Sequence, residues 1–252
     1  MTFSIIARCP ETGAFGGAVG TSALAVGNRC LRVSHGHGAF LSQHRTDPRL
    51  GDRGIALLET GLSAGEAIDR VTAGAPFIEW RQLAALDAAG NAAVHHGRHM
   101  YSIHTHSTGR DCVAIGNILA NDGITDAMVA AFGASAGERL EGRLLRALEA
   151  GRDAGGEILE PIRSTALRVS GADGVDRCDL RVDRAEEAIG ALRELLGAYG
   201  DQEEILRRVA LEPDDVPVAR SLFEASIERI AELGLEDRFP TARNRTGWTL
   251  RD

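Results

Sequence analysis

Alternating apolar and polar positions mark the start of the chain as a strand. Thr2-Phe3-Ser4-Ile5-Ile6-Ala7-Arg8 is rich in β-branched and aromatic side chains and stops at Cys9-Pro10. Side chains alternate along a strand, so Thr2, Ser4 and Ile6 share one face and Phe3, Ile5 and Ala7 the other. Glu11-Thr12-Gly13 supplies a turn, and Gly16 to Ser22 returns as a strand of small residues that another layer can approach closely. Short strands are predicted over 31–35 and 39–44, broken by Gly36-His37-Gly38. Asp47-Pro48 opens a helix that stops at Gly61, and Ser63-Ala64-Gly65-Glu66 is a capping box for another ending near Gly74. Residues 81–87 and 92–96 read as a hairpin around Ala89-Gly90-Asn91, and 113–119 as a buried strand. Helices over 122–132 and 136–149 follow, the second with Leu144, Leu145 and Leu148 on one face. Strands at 165–170 and 178–182 come next. Beyond Asp183 the β-branched residues thin out, and helices are predicted over 184–199, 201–211 and 214–234 before a polar, irregular end from Glu236 to Asp252.

Hairpins with segregated helix pairs predict an α+β fold of antiparallel sheets covered by helices, not a doubly wound parallel sheet. The shift near Asp183 divides the chain into a core, 1–183, and a helical extension, 184–252, packed on that core or on a second subunit.

Composition narrows the partners. The chain has 252 residues, 44% of them hydrophobic, which suffices for a sizeable core. A net charge of −8 argues against nucleic acid or an anionic membrane as the main partner. All 28 basic residues are arginines, which excludes a lysine nucleophile or Schiff base. The N-terminus lacks the pattern of a secretory signal, and the longest apolar stretch, Gly16 to Gly27, is too short to span a bilayer. Cys9, Cys30, Cys112 and Cys178 lie far apart, as expected of free thiols in a cytoplasmic protein.

Two sets of residues carry candidate chemistry. With Met1 removed, the Thr2 hydroxyl sits beside a free α-amine of pKa about 7.7–8.0, a base for an otherwise weak nucleophile. The other set is the histidines. All eight fall between His35 and His106, and the pairs His35/His37 and His104/His106 have the two-residue spacing of one strand face. Such pairs can ligate zinc, although no fixed-spacing zinc signature is present and the segment from Arg98 to Ser107 also reads as a solvated loop. His44, at the end of a strand beside the hairpin, reads better as a hydrogen-bond donor or general acid in a pocket, where nearby backbone N–H groups can form an oxyanion hole. Gly116-Asn117 reads as a bulge that turns a polar group to that pocket or as an ordinary strand end. Trp80 and Trp248 have no spacing that suggests a stacking platform.

Taken in order, several blocks resemble the DUF1028 family. They are Thr2 to Arg8, Pro10-Glu11-Thr12-Gly13, Asp47-Pro48-Arg49-Leu50-Gly51, Arg81-Gln82-Leu83, Gly116-Asn117-Ile118-Leu119 and Asp179-Leu180-Arg181-Val182. The likeness covers roughly residues 2–183 and extends to the N-terminal-nucleophile (Ntn) hydrolase superfamily. It implies a four-layer αββα sandwich and a hydrolase acting on amide C–N bonds, with Thr2 as nucleophile. Arg32 stands where proteasome-type chains place a lysine, and it can act only electrostatically because arginine does not give up its proton. The aspartate those chains carry on the second strand is replaced near Thr21 or Ser22, which argues against a protease. The family's small residues after Gln43 are His44-Arg45 here, and its Gln-Ser before the late strand is Arg163-Ser164.

The expected activity is therefore hydrolysis of a small, cyclic or anionic amide. Thr2, Arg32 and His44 are the catalytic candidates, and Ser4, Thr21, Gln43, Arg45, Asn117 and Arg163 line the substrate site, a pocket of a few hundred Å³. Arg32, Arg45 and Arg163, if convergent, suit a carboxylate. The expected partners are a small-molecule substrate and further copies of the chain, with neither nucleic acid nor membrane. No cofactor is implied; zinc on His35, His37, His104 and His106 belongs to the alternative of a metal-dependent hydrolase, and a non-catalytic binding or assembly protein is the third reading.

Overall fold

The computed structural model describes residues 1–158, 161–240 and 249–251, so Trp248 lies outside the described residues. In chain order its strands are β1 (Thr2–Arg8), β2 (Phe15–Thr21), β3 (Leu31–Ser34), β4 (Gly38–Gln43), β5 (Gln82–Asp87), β6 (Ala92–His96), β7 (His104–Gly109), β8 (Cys112–Asn117), β9 (Ser164–Ser170) and β10 (Asp176–Val182). The helices among them are α1 (Pro48–Glu59), α2 (Ala64–Ala73), α3 (Ile124–Ala134) and α4 (Leu140–Asp153).

Two antiparallel sheets result, one of six strands in the order β10-β9-β2-β1-β8-β7 and one of four in the order β3-β4-β5-β6. Strand β1 therefore lies in the interior of the larger sheet. Its alternation is as expected: Phe3, Ile5 and Ala7 pack with Met128 and Phe132 of α3 and Leu144 and Leu148 of α4. Ile6 turns the other way and joins Val19, Leu31, Leu41, Ala84 and Ile115 in a cluster drawn from both sheets. A third cluster sets Phe40, Leu83 and Ala85 of the smaller sheet against Leu50, Leu58, Ile68 and Val71 of α1 and α2. Each Val, Leu, Ile, Phe or Met side chain among them contributes roughly 1.5–3 kcal/mol once buried.

The small residues of β2 work as their pattern predicts. A Cβ on Gly17 would stand 2.5 Å from Leu31 Cδ1, so glycine lets β3 approach β2 across the gap between the sheets. Asp47 caps α1 by accepting from the Arg49 N–H at 3.1 Å, with Pro48 in the first turn, and the Ser63–Glu66 capping box opens α2.

Several boundaries differ from the sequence reading. Strand β7 forms where a solvated loop was an option; its sequence, HTHSTG, is polar, so no apolar alternation announced it. A single helix, α5 (Ala188–Leu211), replaces the two predicted over 184–199 and 201–211, because the Leu, Ala, Glu, Gln and Arg residues on either side outweigh Gly197 and Gly200. The helix expected from 214 starts at Arg220, since Pro217 disfavours helical geometry at Val216.

Residues Met1–Gly200 form one compact unit and Asp201–Asp252 another. The boundary expected at 183 thus moves to 200, because Ala188, Ile189 and Leu192 are buried in the same cluster as Leu148, Leu167 and Leu180. Within the second unit, β11 (Val218–Ala219) leads into α6 (Arg220–Glu232) and pairs in parallel with β12 (Leu250–Arg251). No helix among the described residues is long and apolar enough to cross a membrane.

Candidate functional site at the head of the first strand

The gap between the sheets is apolar at one end and polar at the other. Register places the polar end where β1 begins. Thr2 pairs with Asn117 on β8, which pairs with His104 on β7. Thr21 pairs with Ser164 on β9; in the facing sheet Gln43 pairs with Gln82, and Gln82 with His96. Because Ser4 and Ile6 point into the gap, alternation turns Thr2 the same way.

A hydrogen-bonded chain closes this end. The Ser4 hydroxyl donates to Gln43 Oε1 at 2.7 Å, Gln43 Nε2 donates to Gln82 Oε1 at 2.6 Å, and Asn117 Nδ2 donates to the same oxygen at 3.0 Å. Gln82 Nε2 reaches the Gly116 carbonyl at 2.8 Å and His96 Nδ1 at 3.2 Å, and His96 Nε2 lies 3.0 Å from His106 Nδ1. Ser4, Gln43, Gln82 and Asn117 are fully buried. Burial, followed by the neighbouring His106, His104 and His95, pushes the His96 imidazole down to about 4.

Thr2 carries a hydroxyl among ionisable neighbours. The hydroxyls of Thr2 and Thr21 both donate to the Met1 carbonyl. Glu157, a residue the sequence reading did not single out, is buried and accepts the Ser22 backbone N–H on both carboxylate oxygens, at 3.2 and 3.0 Å. Burial raises its carboxyl above the ordinary range, opposed by the bonds from Ser22 and by the chain's α-ammonium group. The α-amine is in turn lowered by burial, with the Glu157 charge opposing. Isolated in a stretch of weak pattern, Glu157 carried no sequence signal beyond its charge.

His44 belongs to the same neighbourhood. It follows β4 with φ at +54°, and Arg45 after it has φ at +47°. Its Nδ1 lies 2.6 Å from the Trp80 carbonyl, which only accepts, so the neutral ring carries its proton on Nδ1 and leaves Nε2 with a lone pair. Burial lowers its pKa, with the Trp80 bond opposing and the α-ammonium among the smaller lowering contributions.

Other candidates are placed elsewhere. Arg32 pairs through its β4 neighbour Phe40 with the α1–α2 face of the smaller sheet, and its Nε meets Asp52 Oδ1 of α1 at 2.5 Å. It therefore points away from the gap that Thr2 faces. Arg45 stacks over Trp80, 4.4 Å from the ring centroid. Arg163 stays at the site through its backbone, which donates to the Thr21 carbonyl at 2.9 Å. The four histidines of the zinc alternative are not brought together. His35 contacts the Gly171 carbonyl, beyond the Phe15–Ser170 end of the larger sheet, whereas His104 lies opposite Asn117 at the Thr2 end. No group of three or more potential metal-ligating His, Cys, Asp or Glu side chains occurs among the described residues. Thr2 is 6% exposed with Met1 in place, and the clefts of ≈400 Å³ by Cys9, Glu11 and Arg143 and ≈200 Å³ by Gly27, Arg32 and Arg168 lie away from it.

This arrangement defines a two-sheet α+β protein with a polar, buried cluster at the head of an interior strand. Over residues 2–192 the sequence matches the family described as "Family of unknown function (DUF1028)", and the chain belongs to that family. A crystal structure of protein SPO2555 from Silicibacter pomeroyi, described under the same DUF1028 family, is similar at 35% identity and a TM-score of 0.72, over 80% of this chain and 85% of that one. Anbu (ancestral beta-subunit) from Yersinia bercovieri matches at 10% identity and a TM-score of 0.38, over 81% of this chain and 97% of that one. No curated protein matches the chain.

Proposed function

We propose that this protein is an amidohydrolase that cleaves the C–N bond of a small amide with Thr2, freed by removal of Met1, as N-terminal nucleophile. The observation that carries this reading is the position of Thr2. It heads an interior strand, turns its side chain into the gap between the sheets, and has Asn117 as its cross-strand partner and Thr21 sharing the Met1 carbonyl, with the buried Glu157 carboxyl interacting with the α-amine of Met1. With Met1 gone, the Thr2 amine takes the proton of the attacking hydroxyl, and Glu157 stabilises the ammonium so formed. His44, with its lone pair on Nε2, is the side-chain acid or base within the same electrostatic neighbourhood. The packing of one helix pair against each sheet supports the αββα sandwich of Ntn hydrolases as the fold.

Some expected roles are narrowed. Arg32 is held by Asp52 and Arg45 stacks on Trp80, so neither is offered as a partner for an anionic group on the substrate. No cofactor takes part in this proposal, and a cytoplasmic homo-oligomer remains its cellular form. The test is a screen of small amides, lactams and ureido acids against protein lacking Met1, with release of ammonia or acid as readout. Turnover that disappears in Thr2→Ala supports the reading; an inert protein with Met1 removed favours a binding or assembly role.

A further inference from the structure

The buried polar chain between the sheets has a direction, and one backbone carbonyl fixes it. Gln82 Nε2 lies 2.8 Å from the Gly116 carbonyl oxygen. A carbonyl oxygen only accepts, so this end of the amide is the NH₂ group and the other is Oε1. That oxygen accepts from Gln43 Nε2 and Asn117 Nδ2. With its nitrogen committed to Gln82, Gln43 turns its oxygen to Ser4, and the Ser4 hydroxyl has to donate. Asn117, committed in the same way, is left with an Oδ1 that is buried and has no hydrogen-bond partner. Gln82 Nε2 also faces His96 Nδ1 at 3.2 Å and the Thr105 carbonyl at 3.4 Å; a donor-only NH₂ beside Nδ1 favours that nitrogen as an acceptor, so His96 carries its proton on Nε2 and donates to His106 Nδ1. Both histidines are thereby Nε2–H tautomers.

The consequence lies beside Thr2. The Ser4 proton is committed to Gln43 and one Asn117 N–H to Gln82, which leaves Ser4 Oγ, two residues along the strand from Thr2, and Asn117 Oδ1, on the cross-strand partner of Thr2, as acceptors. A carboxylate brought to Asn117 Oδ1 or Ser4 Oγ meets an acceptor, whereas an N–H donor satisfies a buried oxygen that otherwise keeps its full desolvation penalty.

We propose that Gln82 is a positioning residue that sets the direction of this chain, and that Ser4 Oγ and Asn117 Oδ1 form a subsite beside Thr2 for a ligand with N–H donors, a primary carboxamide in preference to a carboxylate. Its use in catalysis rests on the reading of Thr2 as nucleophile; the subsite itself does not.

The experiment uses ¹⁵N-labelled, Met1-free Thr2→Ala protein, so it reads binding without chemistry, and failure of the nucleophile assignment leaves it intact. Imidazole ¹⁵N shifts at neutral pH are expected to show His96 and His106 as Nε2–H tautomers. Titration with acetamide is expected to move the side-chain NH₂ resonance of Asn117, with acetate about tenfold weaker. In Gln82→Glu, which offers no donor to the Gly116 carbonyl, the His96 tautomer preference and the selectivity for acetamide are both lost. An Nδ1–H tautomer at His96 in the Gln82 protein reverses the direction and overturns the proposal. Acetate binding as well as acetamide, or neither ligand moving Asn117, overturns the subsite.

Discussion

The Ser4 hydroxyl donates to Gln43 Oε1 at 2.7 Å, and this bond ties the strand that carries Thr2 to the facing sheet. It also separates the roles of two neighbouring hydroxyls on one strand face. An amide oxygen is no general base, so Ser4 is a structural donor and not an activated nucleophile. Ser4→Ala leaves a buried acceptor without its donor and should cost about 1–3 kcal/mol in denaturant unfolding. Turnover per folded molecule should fall far less than in Thr2→Ala, since one subsite acceptor is lost but the Thr2 hydroxyl remains. Loss of turnover in a folded Ser4→Ala, with Thr2→Ala still active, would exchange the two assignments.

His96 gives the fold a defined response to acid. Its imidazole is held at about 4, below the ordinary 6.5, chiefly by burial. The unfolded chain therefore takes up this proton first as pH falls. The contribution to stability is fully present above about 6.5 and is lost as pH drops towards 4. Urea midpoints of the wild type should fall more steeply across this window than those of His96→Gln. Parallel curves for the two proteins would show that the buried imidazole does not titrate as described.

Arg32 should prove dispensable for chemistry. Its partner Asp52 is 62% exposed, and pairs of this kind contribute up to about 1 kcal/mol. Arg32→Ala should keep most of the turnover and shift stability by no more than that. An Arg32→Ala protein that is folded but inactive would return the residue to the site.

The start of α5 belongs to the core. Leu192 is fully buried beside Leu148 and Leu180, so Leu192→Ala should cost about 2–5 kcal/mol in equilibrium unfolding. Truncation after Asp183 removes Ala188, Ile189 and Leu192 together and should abolish cooperative unfolding. A truncated protein with wild-type stability would restore the boundary at 183.

The elements most legible in the sequence were those with local rules. Alternation set the two faces of β1, Asp47-Pro48 and Ser63 to Glu66 set two helix starts, and glycine in β2 announced a close approach that Leu31 makes. Non-local relationships were not legible. In the sequence Gln82 stands within a block but carries no sign of being the centre of a network, because its partners come from β4, β6 and β8. Glu157 acquires meaning from its distant contact with Ser22. Arg32 suits the site by chain order, yet the two-residue alternation of β3 turns it to α1, the opposite face from Leu31 and Val33.

The central claim is tested most directly by measuring amide hydrolysis alongside intact mass for four proteins: wild type, Thr2→Ser, Thr2→Ala and a form with an uncleavable N-terminal extension. The wild type should lack Met1 and turn over, with a rate that rises as the α-amine loses its proton near pH 7–8. Thr2→Ser should retain part of that rate, and Thr2→Ala and the extended form should be inactive though folded. Full activity in the extended protein would contradict the account, since a blocked amine cannot serve as the base, and His44 would be the next group to test.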